Sequence, residues 1–149
     1  MSIKYERINK IYLIILHSIL PIIIGALIYL FYRKTTLLVF QWIDIVNLKP
    51  VVIYFRELFN PHNNLYSNFF THNFPDALWV YSFTSFFIII YGMKKNHNII
   101  IYFIPLVIAV TSEMLQLINV IPGTFDFKDV FSYISSSIIS IICLTNKIN

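Results

Sequence analysis

The run IYLIILHSILPIIIGALIYLFY, residues 11–32, contains no charged side chain and decides the class of fold. As a helix rising 1.5 Å per residue it would be about 33 Å long, enough to cross the hydrocarbon core of a bilayer. It is longer than the apolar core of a signal peptide and lacks a cleavage site of small residues, so we expect it to be retained. Pro21 and Gly25 predict a kink, which membrane helices tolerate.

The rest of the chain extends this interpretation. Of its 149 residues, 58% are apolar and 12% are charged, about half the charged share of a soluble domain. Three further apolar runs predict spans at about 74–93, 99–120 and 129–146. Residues 35–60 mix apolar and charged side chains at helical spacing, which is typical of helices at the membrane interface. The sequence therefore predicts an all-α, polytopic membrane helix bundle: one domain over residues 1–149, with about four transmembrane helices and one or two interfacial amphipathic helices between the first and second spans.

The distribution of charge indicates how the spans are oriented. With four spans, both termini and residues 94–98 share one side, whose short segments are strongly basic (Lys4, Arg7, Lys10, Lys94, Lys95 and Lys147 against Glu6). The opposite side carries equal numbers of acidic and basic side chains. Because Lys and Arg in short loops favour the cytoplasmic side, we expect both termini to be cytoplasmic.

Composition also bears on cofactors and partners. A single cysteine, Cys143, provides neither a disulfide nor a cysteine-based metal framework. The net charge of +4 fits membrane topology better than a nucleic-acid partner. The chain has three glycines, no phosphate-binding glycine loop and no metal-ligand spacing of histidines. We therefore expect no cofactor, no metal and no nucleic acid, and membrane lipids as partners.

Four carboxylates are predicted to gather on the side away from the termini. Asp76 opens the second span, and Glu113 lies about 5 Å beyond the midpoint of the third, in the stretch TSEMLQLINVIPGTFDFKDV (111–130). Asp126 and Asp129 flank the start of the fourth span. Each of these spans also carries a polar stripe at helical spacing, and such stripes can close around a small wet cavity. The predicted ligand-binding residues are Asp76, Trp79, Ser82, Glu113, Gln116, Asp126, Asp129 and Tyr133.

Structural roles for the same residues remain open. A carboxylate near mid-membrane costs about 2.5–3.5 kcal/mol on insertion scales, which favours a function for Glu113, although a buried structural role is the alternative. Asp76 and Asp126 are also placed to complement or cap a helix N-terminus. The serines Ser132, Ser136 and Ser140 predict a close-packing surface, Trp79 an anchor, and His17 a hydrogen bond to a neighbouring helix.

The motifs SEMLQ (112–116) and IPGTFDFKDV (121–130) resemble the Ser-Glu-x-x-Gln, Pro-Gly, Asp-x-x-Asp pattern of the VanZ-like family of small bacterial membrane proteins. The block FPDALWVYSFTS (74–85) is similar to the Asp-containing helix start in that family and in a related uncharacterised one. The family pattern has an Arg, an Asn and a Gly where this chain has Thr124, Tyr133 and Ser136, and Arg56 is the candidate to replace the missing Arg.

The resemblance implies a role in the bacterial envelope, since the family's named member is linked to resistance against glycopeptide antibiotics of the teicoplanin type. Localisation in the bacterial cytoplasmic membrane follows from the same resemblance. An outward-facing acidic pocket would then bind an envelope lipid, a cell-wall precursor or such an antibiotic. Carboxylates suit amines and sugar hydroxyls, and aromatic side chains suit sugar rings.

Two other functions stay open. One is a membrane-embedded hydrolase or transferase acting on a lipid-linked substrate, with Glu113 as general acid or base and Asp129 orienting the substrate. The other is an accessory structural subunit, whose polar stripes pair with another membrane protein. Whether the chain is an enzyme is therefore left open at this point.

Overall fold

The computed structural model describes residues 9–35, 38–59, 69–92 and 99–148. In those residues the chain forms six helices and no strand: α1 (Asn9–Tyr32), α2 (Leu38–Ile45), α3 (Lys49–Phe59), α4 (Phe69–Tyr91), α5 (Ile100–Leu117) and α6 (Phe127–Ile148). Helices α1, α4 and α5 and the Phe127–Thr145 part of α6 are long and apolar enough to cross a membrane. The predicted all-α bundle with four spans, and two shorter helices between the first and second, is confirmed.

Two of the spans have boundaries that differ from the sequence prediction. Helix α4 begins at Phe69 rather than at residue 74, because Pro75 lies within the helix instead of opening it. Helix α5 ends at Leu117 rather than at residue 120. There Asn119 adopts a left-handed conformation (φ 57°), and the N–H groups of Asn119 and Val120 bond back to the carbonyls of Gln116 and Leu115. This pattern is a Schellman motif, which ends a helix.

Short π-helical segments precede proline in two of the spans. Residues Ile15–Ile19 come just before Pro21, and Phe69–Asn73 come just before Pro75. A proline cannot donate to the carbonyl four residues earlier, and its ring clashes with that carbonyl. Each π segment contains the affected carbonyl, so the wider turn accommodates the ring. The predicted distortion near Pro21 thus takes this form.

Helix α4 occupies the centre of the bundle and packs against α1, α5 and α6. Gly25 allows α1 to approach closely, because a Cβ at that position would lie 3.2 Å from the Pro75 carbonyl oxygen. Between α4 and α6, small hydroxyl side chains pair across the interface: Thr84 with Ser137 at 3.3 Å and Ser85 with Ser140 at 2.8 Å. Small residues at such positions let membrane helices pack closely.

The buried serines of α6 and His17 of α1 bear on two packing predictions made from the sequence. Ser132, Ser136, Ser137 and Ser140 are all buried, so the predicted close-packing surface of α6 is confirmed and includes Ser137. His17 is buried in α1, and its Nδ1 lies 2.6 Å from the Tyr81 hydroxyl of α4. The expected hydrogen bond from His17 to a neighbouring helix is therefore confirmed.

Helices α2 and α3 are separated by a turn at residues 46–48. Asn47 lies there with φ 57°, so the break falls just before Pro50, which is the second residue of α3 and suits a helix start. Arg56 fastens α3 to α1 by donating to the Leu30 carbonyl, and its guanidinium lies 5.4 Å from the Phe40 ring centroid. Burial lowers the pKa of Arg56 from its ordinary value.

The two ends of the bundle differ in character. At one end, where α1 and α5 begin and α4 and α6 end, an apolar cluster fills the core: Leu13, Ile88, Ile89, Tyr102 and Leu144. At the opposite end, α1 and α5 finish and α4 and α6 start. We call this opposite end the polar end, because ionic and polar contacts join its helices.

Candidate functional site

The polar end brings together acidic side chains from three helices. We call Asp76, Glu113, Asp126 and Asp129 the acidic cluster. Asp76 lies on α4, Glu113 on α5, and Asp126 and Asp129 at the start of α6. Asn73, one turn before Asp76 on α4, donates to Asp129, and the Asp126 N–H donates to Glu113. The four carboxylates that the sequence singled out therefore share one region of the fold.

Asp76 pairs with a cation that the sequence interpretation had not assigned to the site. The Arg33 guanidinium, just past the end of α1, donates from Nη2 to Asp76 Oδ2 at 3.4 Å and to the His72 carbonyl at 3.4 Å. The Asp76 side chain is 36% exposed and that of Arg33 is 18% exposed. Because α4 starts at Phe69, Asp76 lies about two turns inside the helix, where capping of the N-terminus no longer explains it.

Asp129 is held by the π-helical segment of α4. Asn73 Nδ2 donates to Asp129 Oδ1 at 2.5 Å, and Asn73 is buried. Thr71, in the same segment, is buried too and its hydroxyl lies 2.7 Å from His72 Nδ1. The wider π turn thus accompanies inward-facing polar side chains, and such turns occur often at functional sites.

Glu113 is 3% exposed and has a donor at each carboxylate oxygen. The Tyr133 hydroxyl donates to Oε1 at 3.3 Å, and the Asp126 backbone N–H donates to Oε2 at 3.4 Å. Both donors belong to the start of α6 or the residue before it. Glu113 therefore ties the end of α5 to the beginning of α6, and faces the protein interior.

Asp126 caps α6. Its Oδ1 accepts from the Lys128 N–H at 2.9 Å, and its carbonyl accepts from the Asp129 N–H at 3.0 Å. This is the geometry of a helix N-cap, so the capping role considered from the sequence is confirmed. One residue thus sets the helix start with its side chain and meets Glu113 with its backbone.

Gln116 supports the Pro-Gly turn between α5 and α6. A Cβ on Gly123 would lie 2.5 Å from the Gln116 side-chain oxygen, and Gly123 has φ 148°, so only glycine fits there. Ser112 and Asn119, which share helical spacing with Glu113 and Gln116 in the sequence, make other contacts. Ser112 donates back to the Ala109 carbonyl at 2.8 Å, and Asn119 lies past the end of the helix.

The second span contributes less to the site than its polar stripe indicated. Trp79 is 46% exposed and lies against Gly25 and near the Phe83 ring. Ser82 is fully buried and donates to the Leu78 carbonyl at 2.7 Å, one turn earlier in the same helix. The structure thus places Trp79 and Ser82 in other contacts, whereas Tyr133 lies against Glu113 as described.

Arg56 does not stand in for the arginine that the family pattern has at the position of Thr124. It contacts Leu30 and Phe40, and the arginine beside the acidic cluster is Arg33. Arg33 follows the first span directly and Asp76 lies near the start of the second. The end of one span and the start of the next lie at the same end of a bundle, so the topology alone could have predicted that Arg33 lies near Asp76. The contact of Asn73 with Asp129 could not be predicted in this way, because the inward direction of Asn73 depends on the π turn.

The chemistry available is that of four carboxylates, one guanidinium, a phenol and an amide. Among the described ranges, no group of three or more His, Cys, Asp or Glu side chains is placed to hold a metal ion. Carboxylates accept hydrogen bonds from ammonium and hydroxyl groups, and a guanidinium donates to carboxylate or phosphate. The polar end is thus equipped to bind a cationic or polyhydroxylated group.

Comparison of the chain with protein-family models, curated proteins and solved structures finds no match. The similarity to the VanZ-like family therefore stays a prediction, carried by the motifs within residues 74–136.

Proposed function

We propose that this chain is a VanZ-like protein of the bacterial cytoplasmic membrane that binds the polar head of an amphiphile at its polar end. The ligand would be an envelope lipid, a cell-wall precursor or a glycopeptide-type antibiotic. With both termini in the cytoplasm, the polar end faces outward. A role in the envelope or in resistance to such antibiotics is what the VanZ-like resemblance implies, and this placement agrees with it.

One observation carries the proposal: four carboxylates lie at the same end of a membrane bundle, with the Arg33 guanidinium beside Asp76. Unbalanced charge in a low-dielectric setting is costly, and ionisable groups in membrane segments generally mark binding or transport sites. A cationic ligand would offset the excess of acidic groups. Amines occur on envelope lipids, on peptide precursors and on glycopeptides alike.

The members of the acidic cluster divide between binding and positioning. Asp76 is partly exposed, as are Asp126 and Asp129, and its contact with Arg33 is long, so Asp76 can accept from a ligand. Glu113 and Asp126 face donors of the protein and hold the start of α6, on which Asp129 sits. This division disfavours the enzyme alternative, because a general acid or base at Glu113 would first have to break one of its internal contacts.

The experiment uses a minimal cationic amphiphile, hexadecylamine, with hexadecanol as its neutral counterpart. Native mass spectrometry of the protein released from detergent micelles counts bound molecules of each. We expect hexadecylamine to bind more tightly than hexadecanol, and Asp76→Asn to weaken its binding about tenfold, the effect of losing one charge-assisted hydrogen bond.

The matched control is Asp44→Asn, which removes the α2 carboxylate of an exposed pair with Lys49 of α3. Its affinity for hexadecylamine should equal that of the unmodified protein. Equal binding of the amine and the alcohol, or equal losses in Asp76→Asn and Asp44→Asn, would overturn the proposal.

A further inference from the structure

Within the described ranges, Arg33 donates hydrogen bonds through one of its three nitrogens, Nη2. Both contacts of Nη2, to Asp76 and to the His72 carbonyl, are 3.4 Å long, beyond the usual range for such bonds. The Nε atom is buried, and no hydrogen-bond partner for it lies in the described part of the chain. The Tyr29 ring, 4.9 Å from the guanidinium carbon, holds the group in place. Arg33 is thus positioned with donors to spare.

A second group at the polar end also lacks a partner. Ser132 lies one turn after Asp129 on the buried face of α6 and is 5% exposed. Its hydroxyl has no hydrogen-bond partner among the residues that the structure describes. A buried hydroxyl without a partner destabilises the fold. A ligand group that reaches this hydroxyl would remove the cost.

These unused groups have complementary chemistry. A guanidinium matches the oxygens of a phosphate, and carboxylates match an ammonium. Arg33 and Asp76 are themselves neighbours at 3.4 Å, so a ligand that meets both must carry its positive and negative charges close together. A phosphate and a primary ammonium joined by two carbons meet that requirement.

We propose that the polar end binds the phosphoethanolamine head of a phospholipid, with the phosphate on Arg33 and the ammonium on Asp76 and Asp129. The Ser132 hydroxyl supplies a further hydrogen bond to the head group. This inference rests on the proposed function and names its ligand class. A choline head offers no N–H donor to the carboxylates, and a glycerol head offers no cation, so both should bind more weakly.

Native mass spectrometry with phosphatidylethanolamine, phosphatidylcholine and phosphatidylglycerol of identical acyl chains tests this selectivity. We expect about tenfold tighter binding of phosphatidylethanolamine than of the other two, since about 1.4 kcal/mol of charge-assisted hydrogen bonding corresponds to that factor. Soluble phosphoethanolamine should compete with the lipid, whereas phosphocholine should not. Equal binding of the three lipids overturns the inference.

Substitution of Arg33 separates this inference from the proposed function. Arg33→Gln should weaken phosphatidylethanolamine binding about tenfold without weakening hexadecylamine binding, because the amine carries no phosphate and Asp76 loses a competing cation. Lys34→Gln removes the same charge from the next, exposed residue and should change neither. Arg33→Lys keeps the charge without the forked donors and should weaken the phospholipid alone, which provides a second variant if Arg33→Gln fails to fold.

The outcomes are distinguishable. Retained hexadecylamine binding that depends on Asp76, together with phosphatidylethanolamine binding that is indifferent to Arg33, overturns the head-group assignment and leaves the acidic binding site standing. Loss of specific hexadecylamine binding overturns both.

Discussion

Glu113 joins α5 to α6, and replacing it with alanine tests that connection. The substitution would leave the Tyr133 hydroxyl and the Asp126 N–H without their acceptor at a site that is 3% exposed. Glu113→Gln keeps one acceptor oxygen and nearly the same volume. The two variants should therefore differ in stability, although both remove the same charge.

The contacts at Glu113 set the expected size of the effect. At 3.3 and 3.4 Å they are long, so each is worth about 1 kcal/mol. Truncation of the side chain adds a small cavity, which brings Glu113→Ala to about 3 kcal/mol. The cost of inserting a charged side chain into lipid does not change the free energy of unfolding. The unfolded chain in the membrane carries the same carboxylate, so this cost is the same in both states. Glu113→Gln should cost about 1 kcal/mol, as should Tyr133→Phe.

Reversible unfolding in mixed micelles of dodecyl sulfate, followed by circular dichroism, measures these free energies. Glu57→Ala, at an exposed glutamate of α3, is the control and should lie within about 0.5 kcal/mol of the unmodified protein. A Glu113→Ala variant as stable as Glu57→Ala, or a Glu113→Gln variant as unstable as Glu113→Ala, would refute the assigned role.

Three further predictions use the same unfolding assay. Asp126→Ala should cost about 1 kcal/mol through loss of the N-cap and Asp126→Asn far less, and equal costs would contradict the cap. A double-mutant cycle of His17→Phe and Tyr81→Phe should give a coupling of about 0.6 kcal/mol, and additive effects would argue against their hydrogen bond. Gly123→Ala should lower the free energy of unfolding by about 1–3 kcal/mol, because alanine is strained in that backbone conformation. Adding Gln116→Ala should recover only the part of the loss that comes from contact with the Gln116 side chain. Full recovery would mean that no backbone strain exists.

The spans were predictable because their signal is long-range and simple. Residues 11–32 carry no charge over the thickness of a bilayer, and α1 forms there. The start of α4 was not predictable in the same way, since Pro75 is favoured at the first turn of a helix. The structure instead absorbs Pro75 with a π turn, and no sequence periodicity signals such a turn.

The candidate site was predictable in its acidic members and not in their partners. A carboxylate in an apolar run is costly enough to stand out, so Glu113 was found. Arg33 does not stand out in the sequence, because a cation at the end of a span is common. Asn73 and the pairing of Thr84 with Ser137 depend on which face each helix turns inward, a property of tertiary packing.

The meeting of α4 and α6 at the polar end can be measured directly by cross-linking. In a Cys143→Ala background, Asn73→Cys and Asp129→Cys replace two side chains whose Nδ2 and Oδ1 atoms lie 2.5 Å apart. Ser85→Cys and Ser140→Cys replace a second pair, whose hydroxyl oxygens lie 2.8 Å apart deeper in the same interface. A short bifunctional thiol reagent should link both pairs. Efficient linking of the Ser85 and Ser140 positions without any linking of the Asn73 and Asp129 positions would contradict the assembly of the acidic cluster.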